Sequence, residues 1–251
     1  MEKCRCEAIL LGSMDYREAD RIVTLFTLEQ GKLKGIARGA KRSSRRFGCA
    51  LEPFTRISVQ LGLATGLVRL EEADIITSHP RILDDLVKIA HAGYACESVD
   101  LLMPEGLPNP RLYRLLSAYL EHLDTVSADS SDRRFFQVNL LNILGYRPPL
   151  ENCATCGDDL MKTTTGLHAG PTGRLFCGSC GRGYPAISKG TIINLEKSLH
   201  TGRFGRVAFS SIQLDEAGII LDQSIALHLS RPFKSLEFLR EVECGVACEV
   251  S

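Results

Sequence analysis

Apolar residues in the first third of the chain come in short runs with a two-residue period. Ile57, Val59, Leu61 and Leu63 alternate with Ser58, Gln60 and Gly62, which turns one side of a strand into a core and leaves the other wet. Cys6–Leu11 and Ile22–Leu28 are apolar runs bounded by turn residues, and Lys32–Arg38 is a short segment containing glycine. Leu67–Ile76 follows the Gly62–Gly66 turn region as a fifth candidate. Five short strands within the first 80 residues predict a small β-barrel, for which the OB fold is one candidate.

The period changes at Ser78-His79-Pro80. Ile82, Leu83, Leu86, Ile89, Ala90 and Gly93 recur at helical spacing, and the loop Pro104–Pro110 follows. Asn109 is placed to cap the next helix with Pro110 as its first residue; that helix buries Leu112, Leu115, Leu116, Leu120 and Leu123. Another helix runs from about Ser131 to Leu144 through Phe135, Val138 and Leu141, and Gly145 fits the left-handed position that ends helices. Residues 150–185 have little apolar mass and need a covalent or metal staple to fold. Helical spacing returns after Ser188, again from about Asp215 to Leu229, and after Pro232. The expected organisation is therefore an α+β chain of several domains: a β-barrel over 1–80, a helical domain beginning at 81–149, an inserted cysteine module over 150–186, and the second part of the helical domain over 187–251.

Hydrophobic residues make up 44% of the 251-residue chain, enough for a sizeable core, and 30 basic residues balance 30 acidic ones. Whole-molecule charge thus says nothing about partners; local charge must. No apolar run is long enough to cross a bilayer, and the N-terminus lacks the apolar core of a signal peptide, so a cytoplasmic protein is expected.

Four of the ten cysteines form two pairs, Cys153-x-x-Cys156 and Cys177-x-x-Cys180, separated by twenty residues. The other six (Cys4, Cys6, Cys49, Cys96, Cys244 and Cys248) are scattered and read as packing thiols or bystanders, with oxidation or metal binding at Cys4/Cys6 and Cys244/Cys248 as the alternative. Zinc takes four thiolates at tetrahedral corners, and a C-x-x-C turn aims two sulfurs at one point. Gly157 and Gly181, each just after a pair, let the backbone turn under the metal, and residues 163–173 join the pairs as a hairpin. Competing readings are a redox dithiol, which needs one pair in a βαβ setting, an iron–sulfur cluster, whose spacings are tighter, and free thiols. His168 lies between the pairs and could stand in for a cysteine. Four thiolates leave no open coordination position, so the zinc is expected to be structural.

From Lys32 to Arg46 the chain carries seven basic residues and no acid. Gly39, Ser43 and Ser44 suggest an extended, mobile loop. Such a field attracts phosphate through counterion release, and Lys34, Arg38, Lys41, Arg42, Arg45 and Arg46 are the candidate DNA contacts; a merely solvated loop is the bland alternative. Tyr16, Phe26, Phe47 and Phe54 are the nearby aromatics and tryptophan is absent, which predicts contact dominated by the DNA backbone. The six histidines show no metalloenzyme spacing, and phosphate-binding, dinucleotide-binding and nucleophile-elbow motifs are missing, so no enzymatic activity is expected.

This order of features resembles the RecO family of recombination mediators over essentially the whole chain. Tyr16–Asp20 and Leu25–Thr27 look like that family's first hairpin, Gly31-Lys32 and Ala37–Lys41 like its strand and basic loop, and Leu51–Phe54 like its next strand start. Leu144–Tyr146 with Pro148, and Lys234-Ser235, also fit, and the cysteine pairs are similar to those of its zinc-containing members. The resemblance implies an N-terminal OB fold, a helical C-terminal domain and a zinc module. It implies a bacterial, nucleoid-associated protein that binds single- and double-stranded DNA, anneals complementary strands, and acts with RecR to load RecA onto strands covered by single-strand-binding protein (SSB). The family docks the acidic, Phe-ending SSB tail on its helical domain, and the pattern would put that contact at Arg134 and Phe136; Phe136 fits a plain helix core equally well. The alternative is a zinc-ribbon module that binds protein partners and not DNA.

Overall fold

The alternating segments form β1 (Lys3–Tyr16), β2 (Asp20–Thr27), β3 (Gly31–Ala37), β4 (Arg56–Gly62) and β5 (Val68–Thr77) in a computed structural model. Residues 3–62 and 66–249 are described, with side chains through residue 242; Leu63 and the side chains of Cys244 and Cys248 lie outside them. The strands close in the order β1-β2-β3-β5-β4, because β1 pairs with both β2 and β4 and β3 runs parallel to β5. Among the described residues each strand thus has a partner on both sides, β3 meeting β5 at Gly35–Ala37, which protects the edges from pairing with another chain. Leu10, Val23, Leu25, Ile57, Val59, Leu61 and Leu70 fill the interior.

A register shift between Leu10 and Gly12 changes which residues of β1 face inward. Cys6, Ala8 and Leu10 point into the core. Beyond the shift Ser13 pairs with Val23, a core residue, so Met14 and Tyr16 turn to the outside of the sheet. An extra residue in one strand of a pair has this effect, and such bulges gather where a side chain must be re-aimed.

The segment after β3 corrects one expectation. It is not an extended loop: a 3-10 turn at Ala40–Arg42 leads into further turns through residue 54. Phe47, Ala50 and Leu51 are buried in the barrel core and plug that end of it. The plug is tied down by the Lys41 N–H to the Ala19 carbonyl (3.0 Å) and the Ala73 N–H to the Arg46 carbonyl (2.9 Å). Phe47→Ala empties this space and is expected to lower stability by roughly 3–5 kcal/mol. Urea denaturation checks it; a loss below about 1 kcal/mol would mean that the aromatic ring is dispensable to the barrel.

The chain divides into two compact units. One holds the barrel with α1 (Pro80–Leu83), α2 (Leu86–Leu102), α3 (Pro110–Thr125) and α7 (Ser235–Glu249), so these helices group with the strands and not with the helices between Asp129 and Pro232. Asp85 caps α2 through the Val87 and Lys88 N–H groups, and Asn109 caps α3 through that of Leu112. Ala90, Tyr94 and Leu239 join α2 to α7, and the Glu97 carboxylate accepts the N–H groups of Lys234 and Ser235.

The second unit spans Asp129–Pro232 and contains α4 (Ser130–Leu144), α5 (Lys189–Thr201) and α6 (Ser211–Ala226), which pack on one another. The Ser210–Gln213 capping box starts α6 four residues before its apolar periodicity becomes visible. Between α4 and α5 lies a three-stranded sheet of β6 (Leu167–Ala169), β7 (Leu175–Cys177) and β8 (Ala186–Ile187), ordered β7-β6-β8.

Candidate metal centre and nucleic-acid interface

The two C-x-x-C turns converge. In the first, Gly157 adopts φ +78° and its N–H returns to the Cys153 carbonyl (3.0 Å). In the second, the N–H groups of Cys180 and Gly181 both reach the Cys177 carbonyl. Gly181 serves a different purpose from Gly157: a Cβ there would lie 2.6 Å from the His168 Cβ, so only glycine lets the turn lie against β6. The hairpin expected between the pairs is β6–β7, with Leu167 opposite Cys177.

The sulfurs of Cys153, Cys156, Cys177 and Cys180 all lie within 4.8 Å of one another. Four sulfurs about 2.3 Å from one ion sit about 3.8 Å apart at tetrahedral corners, and those of Cys156 and Cys177 are 3.8 Å apart. Burial raises the Cys153 thiol, but N–H groups from Cys156, Cys177 and Thr155 outweigh it and bring it down to about 6. Although the Asp158 N–H pulls Cys156 down, sharing a hydrogen bond with Cys153 pushes Cys156 up to about 12. Only Cys153 thus favours thiolate, while hydrogen bonds shared between sulfurs raise Cys156 and Cys180; a bound cation displaces such protons. His168 is outside the cluster, its ring held by the Tyr184 carbonyl at 2.9 Å.

The cations of the basic segment fall into three groups. Lys32 is buried, with its ammonium on the Asp100 carbonyl and carboxylate. Lys34, Lys41 and Arg42 are exposed but paired, to Glu105 (3.3 Å), Asp15 (2.6 Å) and Glu18 (3.5 Å) respectively. Exposed pairs of this kind are worth about 0–1 kcal/mol, so a phosphate can displace the carboxylate. Arg38, Arg45 and Arg46 have no carboxylate within ion-pair distance among the described residues. Arg38 and Arg45 are exposed, while Arg46 lies over the Phe47 ring and donates to the Arg38 carbonyl (2.7 Å). Arg45 and Arg46 line a depression with Ser43, Gln60, Glu71 and Glu72. Glu71 is engaged by Lys3 at 2.5 Å, and that hydrogen bond holds its carboxyl below the usual range.

Arg134 and Phe136 do not make a surface site, which corrects the position expected for a partner's tail. Phe136 is fully buried, and the Arg134 side chain is 7% exposed and bonded to Asp222 and Gln137, each at 2.8 Å. Residues two apart on a helix point to nearly opposite sides of it, and α4 packs on both α5 and α6, so both sides are covered.

The sequence reading missed an apolar pocket of about 630 Å³ along α5. Leu150, Met161, Ile192 and Ile193 line it, with Lys197 and His200 at its edge. The available signal was the Ile192-Ile193 pair: adjacent isoleucines on a helix cannot both enter one core, and Ile193 is left exposed. Glu151 and Glu196, also at the pocket, are both bonded to Arg147 at 3.1 Å, and Asp159 to Lys162 at 3.0 Å. Among the described residues no helix is long and apolar enough to cross a membrane.

Comparison with known proteins matches residues 1–79 to the family described as Recombination protein O N terminal and residues 83–237 to Recombination protein O C terminal. The chain is 53% identical to the DNA repair protein RecO of Geobacter sulfurreducens over 96% of its own length and 99% of that protein. It is 54% identical to the RecO protein of Geobacter metallireducens over 97% and 99%, and 34% identical to that of Anaeromyxobacter dehalogenans over 96% and 98%.

Proposed function

Because the chain belongs to the RecO family of DNA repair proteins, we propose that it binds single- and double-stranded DNA at the rim of its barrel, anneals complementary strands, and with RecR helps load RecA onto SSB-covered DNA in the cytoplasm, at the nucleoid. The observation that carries this reading is the trio Arg38, Arg45 and Arg46, which meets no carboxylate among the described residues. The barrel's strand order supports it, because β1-β2-β3-β5-β4 closed on β1 is the OB arrangement, whose β2–β3 face and flanking loops take oligonucleotides.

Annealing needs no side-chain chemistry, and the protein acts here without being an enzyme. A positive surface screens the repulsion between two phosphate chains and raises their local concentration. Loose, sequence-blind contact suits the task, since tight binding would trap each strand. Cys153, Cys156, Cys177 and Cys180 would hold a zinc ion whose role is to brace the fold of the second unit.

An acidic, Phe-ending tail needs an apolar pocket beside cations. The pocket along α5 has that chemistry, with Ile193 and Lys197 among the residues that line it. Ile193→Glu is expected to weaken an SSB tail peptide by roughly tenfold or more, the equivalent of losing one buried aliphatic side chain. Fluorescence anisotropy of the labelled peptide measures it; unchanged affinity rules this pocket out as the tail's site.

Strand annealing with and without SSB tests the whole reading. Complementary strands should anneal faster with the protein, and SSB-covered strands should remain substrates. A protein that retards neither oligonucleotide at moderate salt is instead a zinc-ribbon module for protein partners.

A further inference from the structure

The bulge in β1 sets up a feature that the charge of the basic segment does not explain. Beyond it the hairpin β1–β2 carries Met14 and Tyr16 on the outside of the sheet, 61% and 37% exposed. Strand register extends this outer row: Met14 lies opposite Ile22, Ile22 opposite Ile36, and Ile36 beside Arg69. Ile22 and Ile36 are half-buried and Arg69 is exposed. The Arg17 guanidinium lies 5.2 Å from the Tyr16 ring centre.

Had β1 kept its register, Met14 and Tyr16 would point into the barrel with Cys6, Ala8 and Leu10. The extra residue instead sets a thioether and a phenol ring on the outer face of the β1–β2 hairpin. Cations lie nearby, two of them paired with Asp15 and Glu18 of the same hairpin. Lys34, two residues before Ile36, shares its face and Arg17 adjoins the ring. The turn bearing Lys41 and Arg42 is bonded to this hairpin, with Gly39 N–H on Asp20 at 2.8 Å and Lys41 N–H on Ala19 at 3.0 Å.

A flat ring beside a guanidinium, on an apolar strip edged by lysine and arginine, is what an unpaired nucleobase and its phosphate need. Bases stack on aromatic faces whatever their sequence. A duplex keeps its bases stacked on one another and has no ring to offer. We propose that Tyr16, with Met14 beside it, is a base-stacking platform that favours single strands over duplex, while the arginines hold either form by its phosphates. This rests on the reading of the barrel as the DNA-binding element.

The test uses the full chain and a thymine-rich oligonucleotide with one 2-aminopurine, as single strand and as duplex. Tyr16→Ala should weaken single-strand binding by about tenfold, abolish the quenching of 2-aminopurine, and leave duplex affinity and both salt slopes unchanged, because no charge is removed. Tyr16→Phe should behave as wild type, which separates ring from hydroxyl and from misfolding. Equal losses for single strand and duplex, or none for either, overturn the stacking role. If the wild type binds neither form at low salt, the DNA reading itself fails and this one with it; if wild type and Tyr16→Ala bind alike while reversal of Arg38 and Arg45 still weakens both forms, the stacking platform alone is wrong.

Discussion

Cys177→Ser is expected to abolish metal binding at the cysteine cluster and to unfold residues 150–187 while the barrel keeps its structure. Cys177 is buried at the end of β7, opposite Leu167, and its sulfur faces that of Cys156. The sheet around it cannot stand alone: its strands are three, three and two residues long. Few apolar side chains support it, chiefly Leu150, Leu160, Leu167, Leu175 and Ile187. Structural zinc contributes on the order of 10 kcal/mol to domains of this kind, comparable to the whole stability of a typical domain. A hydroxyl in place of one thiolate removes most of that, and chelation should do the same to the wild type.

The damage should reach α6. Gly173 lies so close to that helix that a Cβ would stand 2.2 Å from the Ile220 carbonyl, and the Ser224 hydroxyl donates to the Thr172 carbonyl. Zinc content per chain, protease cleavage between 150 and 187, and amide exchange across α6 follow the effect. A purified protein without metal, or a Cys177→Ser variant as resistant to protease as wild type, would remove the metal from the account.

How much of this was legible depends on whether the signal is local. Period-two alternation marked the strands because each barrel strand is wet on one side, and helix starts at Asn109 and Ser188 could be read because a cap is a contact within three residues. Two matched C-x-x-C pairs are equally local, and their sulfurs do meet. The plug was not seen, although Phe47, Ala50 and Leu51 have the i, i+3, i+4 spacing of a helical turn. The surrounding glycine, serine and arginine gave the segment the composition of a loop. Charge pairing was invisible for a stronger reason. The carboxylates that meet Lys32 and Lys34 come from Asp100 and Glu105, about seventy residues away, and the one that meets Arg134 comes from Asp222. An acid-free stretch of sequence is therefore not an acid-free surface, and only part of the basic segment remains uncompensated.

That sorting of the cations sets the expected outcome of charge reversal. Arg38→Glu with Arg45→Glu should weaken DNA binding on the order of 50-fold at 50 mM salt, alike for every sequence, with the difference shrinking as salt rises. Each phosphate contact contributes a slope of about 0.7 for single strands and about 0.9 for duplex in a log–log plot against salt. Losing two contacts should flatten the slopes by about 1.4 and 1.8. Both side chains are exposed and away from the core, so the fold should survive. Lys34→Glu should cost far less, because Glu105 already compensates that charge and a phosphate gains only by displacing it. Lys32→Glu should unfold the protein before it reports on DNA, since the ammonium is buried on Asp100. Titrations of one oligonucleotide at several salt concentrations separate these cases. If the slopes of the double reversal match wild type, the phosphates lie elsewhere, and the uncompensated end of the barrel has some other use.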